Sequence, residues 1–580
     1  MDIKRGDAPV VIVGAGPTGV MLGIELARRG VEVSILDRQP ARSPESRAIG
    51  IHARTLEVFH RLGLVEQFLD LGHRLDGFTV HTRARRSLRV GFGGVESPYP
   101  FMLTLSQAET QRILEEHLEA LGVSVQRGVR VLDLRDDGNG VELRTLWFGE
   151  ERERAVRANW VVGCDGAHSI VRRSLGLPFD GEDYAQDWLM AEVNTDWPMA
   201  RNHFHVFAHT APPLPIFPMP GGRWRVFLPE VANRSNERQA PDMAEVERLA
   251  ADRGPAGMRL TDPSLLATFR CYRRSTKLMR NGRVLIAGDS AHVHSPAGGQ
   301  GMNTGLHDSF NLGWKLALVA QGQAPPGLLD TYQDERAPIA AEVLALTHRL
   351  VRTFTISSPA KRWLRDRLLP AAGALPGAKL RYASRVAQVS HNYRGGPLAP
   401  AAARAERRSI APGDRLPDVP GLRLGETEVS MFDLLRTPVH TLLVFAGRRG
   451  DAKVAREAVD RFASREALVR AVTVGGRAGT VADPELRAHR RYGALSGRLV
   501  LVRPDGYIAG MAPLDRPDAF EPYLRRLGLA TDRPTVSHGR ERSGRQLTVG
   551  IGEESPGEMG AGTTVEQRTG VGERQHQPDG

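Results

Sequence analysis

The most constraining feature of the sequence is a glycine motif directly after a short apolar run near the N-terminus. Val10 to Val13 is typical of a buried strand, and Gly14-Ala15-Gly16-Pro17-Thr18-Gly19 follows it. Val20 to Arg29 then indicates a helix, and a second strand from Val31 to Leu36 ends at Asp37. These glycines permit a tight turn and close approach to a pyrophosphate, and the acid suits a ribose hydroxyl. The unit predicts a βαβ fold that binds a dinucleotide.

A second stretch, residues 283–315, has the same order of strand, turn and helix. Val284 to Ile286 is a short apolar run, and a small-residue turn after Pro296 leads into a helical pattern. Asp289, just beyond the strand, is placed to accept hydrogen bonds from ligand hydroxyls. Such a turn brings bare backbone N–H groups and a helix N-terminus towards an electron-rich ligand. The pattern alone does not separate this role from a turn that merely starts a helix.

Three further side chains are candidates for the same site. An apolar run ends at Cys164-Asp165-Gly166, so Asp165 lies at the carboxyl end of a strand, where ligands bind in open α/β sheets. Ser106 to Glu109 fits a capping box, which places Gln107 in the first turn of a helix. Gln107 either reaches a cofactor or is a solvated amide. Arg47 either faces a phosphate or flavin or lies on the surface.

The region from about residue 178 to 270 changes character, because helical periodicity fades and strand-like runs appear. Gly221-Gly222 between two of these runs indicates a hairpin. We expect an antiparallel sheet, inserted between two halves of the dinucleotide-binding domain, with one face forming a wall for the substrate. Plain sheet packing is the commoner role of each side chain that is a candidate for that wall. The candidates are His203, His205, Phe207, Phe217 and Trp224, together with Pro296 from the turn described above.

The chain divides into several predicted units. The cofactor-binding domain is expected in two parts, and a Gly/Pro-rich linker precedes a small C-terminal α/β domain. The last residues contain no Phe, Trp or Tyr and are expected to be disordered. The predicted ranges are 1–177 and 271–345 for the cofactor-binding domain, 178–270 for the inserted sheet, 346–400 for a helical region and linker, 411–530 for the small domain and 531–580 for the tail.

Composition narrows the class of protein. The chain has 580 residues, 41% hydrophobic and 25% charged, which are ordinary globular values. With no apolar run near 18 residues and no signal-like N-terminus, we expect neither a membrane partner nor secretion. Two cysteines argue against disulfides or a metal site and favour the cytoplasm. The net charge of +11 is scattered, so we expect anionic small ligands and no nucleic acid.

Three motifs in one order resemble the group A flavin monooxygenases with the para-hydroxybenzoate hydroxylase fold. They are GAGPTG at 14–19, CDGAHSIVR at 164–172 and GDSAHVHSPAGGQGMN at 288–303. The resemblance covers roughly residues 8–400 and implies an α/β fold: a Rossmann-like FAD-binding domain with an inserted antiparallel substrate sheet and a helical segment. PGDRLPDVP at 412–420 resembles the entrance of the thioredoxin-like domain in the phenol and polyketide hydroxylase branch. Because the chain lacks C-x-x-C, that domain is expected to serve structure or the contacts of a homodimer.

The resemblance also carries FAD contacts onto this sequence. Asp37 stands where the family often has Glu, and the shorter acid still reaches a ribose. In the family, Asp165 helps to shape the route for the FAD pyrophosphate and NADPH. The implied cofactor-binding residues are Gly14, Gly16, Thr18, Gly19, Asp37, Arg38, Arg47, Gln107, Val131, Asp165, Asp289, Gly301, Met302 and Asn303.

The implied reaction is flavin chemistry. NADPH or NADH would reduce FAD, and the reduced flavin would capture O₂ as a C4a-hydroperoxide that hydroxylates a small phenolic or polyketide aromatic substrate. Backbone N–H groups of Gly301 to Asn303 are expected to stabilise the anionic flavin, without a catalytic side chain or a metal. Baeyer–Villiger oxygenation, antibiotic inactivation and a non-enzymatic flavoprotein that sequesters an aromatic ligand are the alternatives. A flavin halogenase is disfavoured because W-x-W-x-I-P is absent.

Overall fold

The structure, a computed structural model, describes most of the first 528 residues. Arg47 and the tail from residue 531 lie outside the described part, so what the sequence predicts for them stays a prediction. The described residues are 8–42, 48–82, 87–150, 152–208, 212–229, 242–356, 358–399, 410–448, 452–463, 467–475 and 481–528.

The described chain contains both helices and strands, with runs of consecutive elements of one kind. The helices are α1 (Pro17–Ala27), α2 (Ala53–Leu62), α3 (Val65–Leu71), α4 (Gln107–Ala120), α5 (Ile170–Ser174), α6 (Met243–Arg253), α7 (Gly301–Ala320), α8 (Asp330–Phe354), α9 (Pro359–Ala374), α10 (Ala378–Val386), α11 (Met431–Leu434), α12 (Ala452–Asp460), α13 (Arg487–Arg491) and α14 (Glu521–Arg526). The strands are β1 (Ala8–Val13), β2 (Val33–Asp37), β3 (Gly50–Ile51), β4 (His73–Leu75), β5 (Gly77–His81), β6 (Leu88–Gly91), β7 (Met102–Thr104), β8 (Val125–Arg127), β9 (Val129–Asp136), β10 (Val141–Trp147), β11 (Glu153–Gly163), β12 (Asp180–Thr195), β13 (His203–Phe207), β14 (Leu214–Pro218), β15 (Trp224–Pro229), β16 (Leu260–Ser275), β17 (Arg280–Asn281), β18 (Val284–Ile286), β19 (His292–Val293), β20 (Leu422–Leu424), β21 (Thr427–Val429), β22 (His440–Phe445), β23 (Val469–Val474), β24 (Arg498–Val502) and β25 (Ile508–Pro513).

The first sheet is built on the predicted N-terminal βαβ unit. Strand β1 lies between β2 and β11 and is parallel to both, with β18 beyond β11 and β8 beyond β2, again in parallel. The side chains of β1 from Val10 to Val13 are buried, as expected for a central strand covered on both faces. Because parallel strands end at one edge, the loops after β1, β11 and β18 meet there. These are the three loops that carry the sequence motifs.

The inserted region forms the predicted second sheet, which is larger than expected. Its order is β19-β16-β12-β15-β14-β13-β5-β6, so β5, β6 and β19 join from outside the inserted region. The long strands β12 and β16 pair antiparallel near the β19 end of this sheet, and among the described strands of this sheet only β13 and β5 pair in parallel. Strand β14 turns back into β15 through Gly221-Gly222, which confirms the predicted hairpin.

The expectation that helical pattern fades throughout this region is wrong for residues 243–253. Helix α6 forms there, and the side chain of Asp242 caps it by accepting a hydrogen bond from the backbone N–H of Glu245. Val246, Leu249 and Ala250 lie at the i, i+3 and i+4 spacing of one helix face and are buried against the sheet. The helix therefore forms because this apolar face finds a sheet surface to cover.

The C-terminal unit is a small α/β domain with the predicted hairpin. Its four-stranded sheet has the order β23-β22-β24-β25, with β22 and β23 parallel and the other two pairs antiparallel. The residues between β24 and β25 include Pro504-Asp505-Gly506, and Gly506 has a φ of +81° that suits the tight turn. Within the described residues, no helix has the length and apolar character needed to cross a membrane.

A buried ionic cluster ties this hairpin to α7 and α8. Arg503 donates to both carboxylate oxygens of Glu335 at 2.5 and 2.7 Å, and Lys315 Nζ donates to the same carboxylate at 2.7 Å. Asp505 accepts from Arg503 and, at 3.2 Å, from the indole N–H of Trp314. Although burial by itself raises the pKa of Glu335, Arg503 and Lys315 lower it to about 2. The carboxylate is therefore charged at every pH at which the protein would be handled.

The cluster predicts a large cost for removing its central carboxylate. In Glu335→Gln, Lys315 loses its only carboxylate partner within the described residues while it stays fully buried, which is expected to cost about 3–5 kcal/mol. The free energy of unfolding measured in urea checks this. Glu342→Gln is the matched control. Within the described part of the chain Glu342 makes one ion pair, an exposed one with Arg385, so this substitution should change stability by less than about 0.5 kcal/mol. Equal losses in the two variants would contradict the prediction.

Candidate cofactor and substrate site

The three sequence motifs meet at the carboxyl edge of the first sheet. A Cβ placed on Gly14 would lie 2.5 Å from the carbonyl oxygen of Cys164, so the first and second motifs are in direct contact. The hydroxyl of Ser290 donates to Asp165 Oδ1 at 3.1 Å and accepts from the N–H of Gly166 at 2.9 Å. Ser290 therefore joins the second motif to the third. Ser290 was not predicted from the sequence as a site residue, although it directly follows Asp289.

The glycines of the first motif have separate roles. Gly14 and Gly19 are packed, since a Cβ on Gly19 would lie 2.0 Å from the carbonyl oxygen of Gly14. Around Gly16, by contrast, a Cβ would meet no described atom within 4 Å. Gly16 is also the N-cap of α1 and supplies no side-chain hydrogen bond to the first turn. An open approach to an uncapped helix N-terminus fits a pyrophosphate, so the residues present are suited to FAD.

Two side chains hold the middle of this turn at Ala15. Asp37 Oδ2 accepts a hydrogen bond from the Ala15 N–H at 2.6 Å, and Oδ1 accepts from the Gln39 N–H at 2.8 Å. The buried amide of Gln111 donates to the Ala15 carbonyl at 2.8 Å. The sequence analysis missed Gln111. The sequence pattern that could have indicated Gln111 is a polar side chain on the apolar face of α4, one helical turn after Gln107.

A buried carboxylate fixes the turn that presents Asp289. Asp308 accepts from the Gly288 N–H at 3.1 Å, from His292 at 2.7 Å and from Arg336 at 2.7 Å. Although burial by itself raises the pKa of Asp308, Arg336 and His292 lower it below its ordinary value. The ionised Asp308 anchors the 3-10 turn Gly288–Ser290, and Asp289 is exposed in that turn at the shared edge.

The glycine turn before α7 is held from behind by His52 and Asn303. His52 Nε2 lies 2.9 Å from the Gly298 carbonyl, and Asn303 Nδ2 donates to the Gly299 carbonyl at 2.8 Å. Asn303 Oδ1 in turn accepts from the His52 N–H at 3.0 Å and from Thr55 at 2.7 Å. The side chain of Asn303 is thus occupied with the protein itself. What it can offer a ligand is its backbone N–H in the first turn of α7.

Several polar atoms beside this turn point to a ligand. Nε2 of His294 and Oγ of Ser295 are buried and have no hydrogen-bond partner among the described residues. His294 lies close to Gly301, since a Cβ there would be 3.5 Å from its ring. Gln300, the N-cap of α7, makes no side-chain capping hydrogen bond. Unpaired buried polar groups are costly in an empty protein, so this arrangement fits a polar ring system.

The other predicted cofactor residues occupy varied positions. Gln107 lies in the first turn of α4, and its Oε1 accepts a hydrogen bond from the Ala48 N–H at 3.1 Å. Thr18 packs against Gly288, and Met302 and Pro296 are half-buried around the glycine turn. Two predicted residues remain. Arg38 is exposed at the end of β2, and Val131 is buried within β9.

The second sheet separates the predicted substrate residues onto two faces. Phe207 and Trp224 belong to the apolar cluster under α6, and His205 shares their face because strand residues alternate. His205 is hydrogen-bonded there to His81 at 3.1 Å and to the Ala200 carbonyl at 2.9 Å. His203 lies on this face too and hydrogen-bonds Thr79. The structure therefore does not bring these residues to the face opposite α6.

Phe217 lies on that opposite face, which we call the inner face. Phe217 stacks on Phe204 with ring centroids 4.6 Å apart and meets Phe227 edge-on at 5.7 Å. The apolar cluster of this face includes Ile49, which directly precedes Gly50 of β3. The Gly50 carbonyl accepts a hydrogen bond from Asn303 Nδ2, which also holds the glycine turn. Residues that the sequence analysis did not name complete the inner face: Trp188, Met190, Met219, Leu265, Ala267, Phe269 and Cys271.

Fold and site together define a flavoprotein class: a Rossmann-type domain whose dinucleotide edge faces an inserted antiparallel sheet. Residues 7–347 match the family described as FAD binding domain, and residues 409–528 match aromatic-ring hydroxylase, C-terminal. Among the described residues, no group of three or more His, Cys, Asp or Glu could hold a metal ion.

Named relatives extend the match over nearly the whole chain. Pentachlorophenol 4-monooxygenase of Sphingobium chlorophenolicum is 33% identical over 89% of this chain and 96% of its own. The 6-methylpretetramide 4-monooxygenase of Streptomyces rimosus is 35% identical over 87% of this chain and 91% of its own. A solved aklavinone-11 hydroxylase, in complex with FAD and aklavinone, is 28% identical with a TM-score of 0.70, covering 90% of this chain and 99% of that one.

The chain therefore belongs to the FAD-binding family of aromatic-ring monooxygenases. It is an FAD-dependent enzyme that uses NAD(P)H as its reductant. The fold, the cofactor and the enzyme class predicted from the three motifs are confirmed.

The different packing of Gly16 and Gly19 predicts two separable variants. In Gly16→Ala the added methyl enters open space, so stability should be unchanged while FAD affinity falls about tenfold or more. In Gly19→Ala the methyl overlaps the Gly14 carbonyl, so the apoprotein itself should lose about 1–3 kcal/mol. Thermal unfolding of the apoprotein and flavin titration by fluorescence check both. Loss of stability in Gly16→Ala would contradict the assignment of its open side to a pyrophosphate.

His52 predicts a pH dependence and a binding defect that two variants separate. Burial lowers the pKa of His52 to about 4, so the folded state resists protonation and stability should fall as the pH drops from about 6.5 to 4. In both His52→Gln and His52→Phe the unfolding free energy should depend less steeply on pH, because neither side chain takes up the proton that His52 binds on unfolding. Only His52→Phe removes the bond to Gly298, so it alone should weaken FAD binding, by about three- to tenfold. Urea titrations across this pH range and flavin titrations measure the two effects, and equal flavin affinity in the two variants would exclude the contact.

Proposed function

We propose that this enzyme hydroxylates a phenolic or polyketide aromatic compound with NAD(P)H and O₂. The observation that carries the proposal is the inner face of the second sheet, an aromatic and apolar wall beside the glycine turn. The names of two relatives give pentachlorophenol and 6-methylpretetramide as their substrates, and the solved relative binds aklavinone. FAD, when bound, accepts hydride from NAD(P)H and activates O₂ for insertion of one oxygen atom.

The chain's own residues would bind and orient the cofactor. We propose that Gly14, Gly16 and Thr18 receive the pyrophosphate at the N-terminus of α1, and that Asp37 receives a ribose hydroxyl. The other proposed cofactor contacts are Gly19, Arg38, Arg47, Gln107, Val131, Asp165 and Asp289. This placement is supported by the convergence of the three motifs at one sheet edge.

The start of α7 would stabilise negative charge on the reduced cofactor. Gly301, Met302 and Asn303 supply backbone N–H groups at the positive end of a 20-residue helix. His52 and the Asn303 side chain hold the preceding carbonyls away from the ligand side by bonding to Gly298 and Gly299. The inner face would exclude water and orient the substrate ring. No side-chain nucleophile is needed, because the electrons for ring attack come from the phenol.

A direct test uses the purified flavoprotein. We expect a yellow protein whose NAD(P)H oxidation accelerates when a phenolic or polyketide substrate is added, with a product heavier by one oxygen atom. Product structure by NMR separates hydroxylation from Baeyer–Villiger ring expansion, which gives the same mass. A flavoprotein that binds aromatics but shows no substrate-stimulated NAD(P)H oxidation would be the sequestering alternative and would overturn the proposal.

The two faces of the second sheet supply a matched pair of substitutions. Phe217→Leu removes aromatic stacking at the inner face, worth about 0.5–1.5 kcal/mol, so the KM for the aromatic substrate should rise about three- to tenfold. Phe207→Leu lies under α6 and should alter stability without changing KM. Steady-state kinetics with saturating NAD(P)H measures both. A KM that rises in Phe207→Leu but not in Phe217→Leu would reverse the assignment of the faces.

We also propose that the enzyme acts in the cytoplasm as a homodimer. Both cysteines, Cys164 and Cys271, are buried and unbonded, as suits a reducing compartment. The C-terminal domain has no C-x-x-C, which leaves it a structural role or one in subunit contact. Light scattering should give a mass near twice the 63.5 kDa of the chain. A mass of one chain at all concentrations would exclude the dimer.

A further inference from the structure

Helix α9 exposes apolar side chains to an unusual degree. Trp363, Leu364 and Leu368 are 56%, 49% and 55% exposed, and Leu375, just beyond the helix, is 61% exposed. Leu380 at the start of α10 is exposed as well. These five account for five of the eleven exposed large hydrophobic side chains among the described residues, yet they fall within 18 consecutive positions. Contiguous exposed apolar surface marks an interaction site.

The amphipathic pattern of α9 is reversed relative to an ordinary surface helix. Its inward side carries Arg365 and Asp366, which are buried and paired at 2.8 Å. Arg365 also donates to the carbonyls of Ala208 and Thr353, which fixes the helix to the protein by polar contacts. The outward side is then free to be apolar. Because α9 is attached to the protein through buried charged side chains, its outward apolar side chains are not explained by packing against the core of this chain.

Basic residues far outnumber acids in the segment that carries the apolar surface. Residues 359–386 contain seven basic residues and a single acid, Asp366, whose charge is used by Arg365. Arg367 lies over the Trp363 ring at 3.7 Å, within the apolar surface itself. The basic residues of this segment are Lys361, Arg362, Arg365, Arg367, Lys379, Arg381 and Arg385.

We propose that α9 and the start of α10 form a docking surface for an anionic lipid bilayer. Tryptophan and leucine side chains insert at the boundary between head groups and acyl chains, while lysine and arginine reach up to lipid phosphates. Excess positive charge on the surface complements the negative cytoplasmic leaflet. The helix lies on the membrane and does not span it, so the proposal agrees with the absence of spanning helices in the described chain. It does depart from the expectation that the protein has no membrane partner.

A second copy of the chain fits this surface poorly. A twofold interface would place the surface against itself, because the same patch serves both subunits. Lys361, Arg367, Lys379 and Arg381 are all exposed, and the only acid of the segment is buried. Like charges brought together without acids between them are destabilising. Charge complementarity therefore favours anionic lipid over self-association.

The surface adjoins the substrate sheet. Helix α10 packs its inward side, Ala383 and Val386, into the cluster that contains Phe78 and Phe204. Phe204 is the residue that stacks on Phe217 at the inner face. A bilayer bound at α9 would lie beside the sheet that walls the site. The docking proposal itself does not depend on which substrate the enzyme takes.

Vesicle sedimentation of the full-length flavoprotein tests the proposal. We expect binding to vesicles of phosphatidylcholine with phosphatidylglycerol, little binding to phosphatidylcholine alone, and release as salt is raised. The variant Trp363→Ser/Leu368→Ser should bind anionic vesicles at least about tenfold more weakly. Arg367→Gln/Arg381→Gln should lose the preference for anionic lipid. Phe148→Ser is the matched control, since Phe148 is 85% exposed but lies far along the chain between β10 and β11.

Three results would contradict the proposal that this surface docks to a bilayer. Absence of binding to anionic vesicles does so directly, and so does equal binding by the wild type and Trp363→Ser/Leu368→Ser. A wild-type dimer that Trp363→Ser/Leu368→Ser converts to a monomer, by light scattering, would assign the surface to self-association instead. The flavin spectrum and NAD(P)H oxidation without vesicles should be the same in every variant, which separates lost docking from lost folding and from failure of the proposed reaction.

Discussion

The site depends on the close packing of α7 on α1. A Cβ on Gly305 would lie 2.4 Å from the Thr18 hydroxyl, and one on Gly313 would lie 2.4 Å from Cβ of Glu25. Only glycine lets the two helices approach this far, and Ser309 then donates to the Thr18 carbonyl at 2.7 Å. The result is that two helix N-termini reach the same sheet edge. One is suited to a pyrophosphate and the other to the charge of a reduced ring system.

The C-terminal domain secures the far part of the same helix. Arg503 and Asp505 reach Lys315 and Trp314 through the buried ionic cluster, so the hairpin of one domain braces a helix of the other. Burying five charged or polar groups gains little stability over an apolar contact. A bracing role needs no redox cysteines. The absence of a C-x-x-C motif from that domain is consistent with such a structural role.

Much of the local structure could be predicted from the sequence, although helix α6 was not. The βαβ unit, the strand and turn before α7 and the β24–β25 hairpin all rest on neighbouring residues, and all three formed. Gln111 and His52 were missed because they act on the backbone of distant residues, 96 and 246 positions away. The substrate wall shows a different limit. Alternation places Phe217 and Trp224 on opposite faces, but it does not say which face meets the cofactor and which meets α6.

In the site we propose, cofactor and substrate would be recognised by different kinds of atoms. The cofactor edge consists mainly of backbone groups, placed by glycines and by buried side chains such as Asp308 and Asn303. Many sequences can present the same backbone, which agrees with FAD binding by a solved relative of 28% identity. The inner face of the second sheet consists of side chains such as Phe217 and Met190, each of which can change without disturbing that edge. The names of two relatives accordingly give different substrates, pentachlorophenol and 6-methylpretetramide, although this chain is similar to both over most of its length.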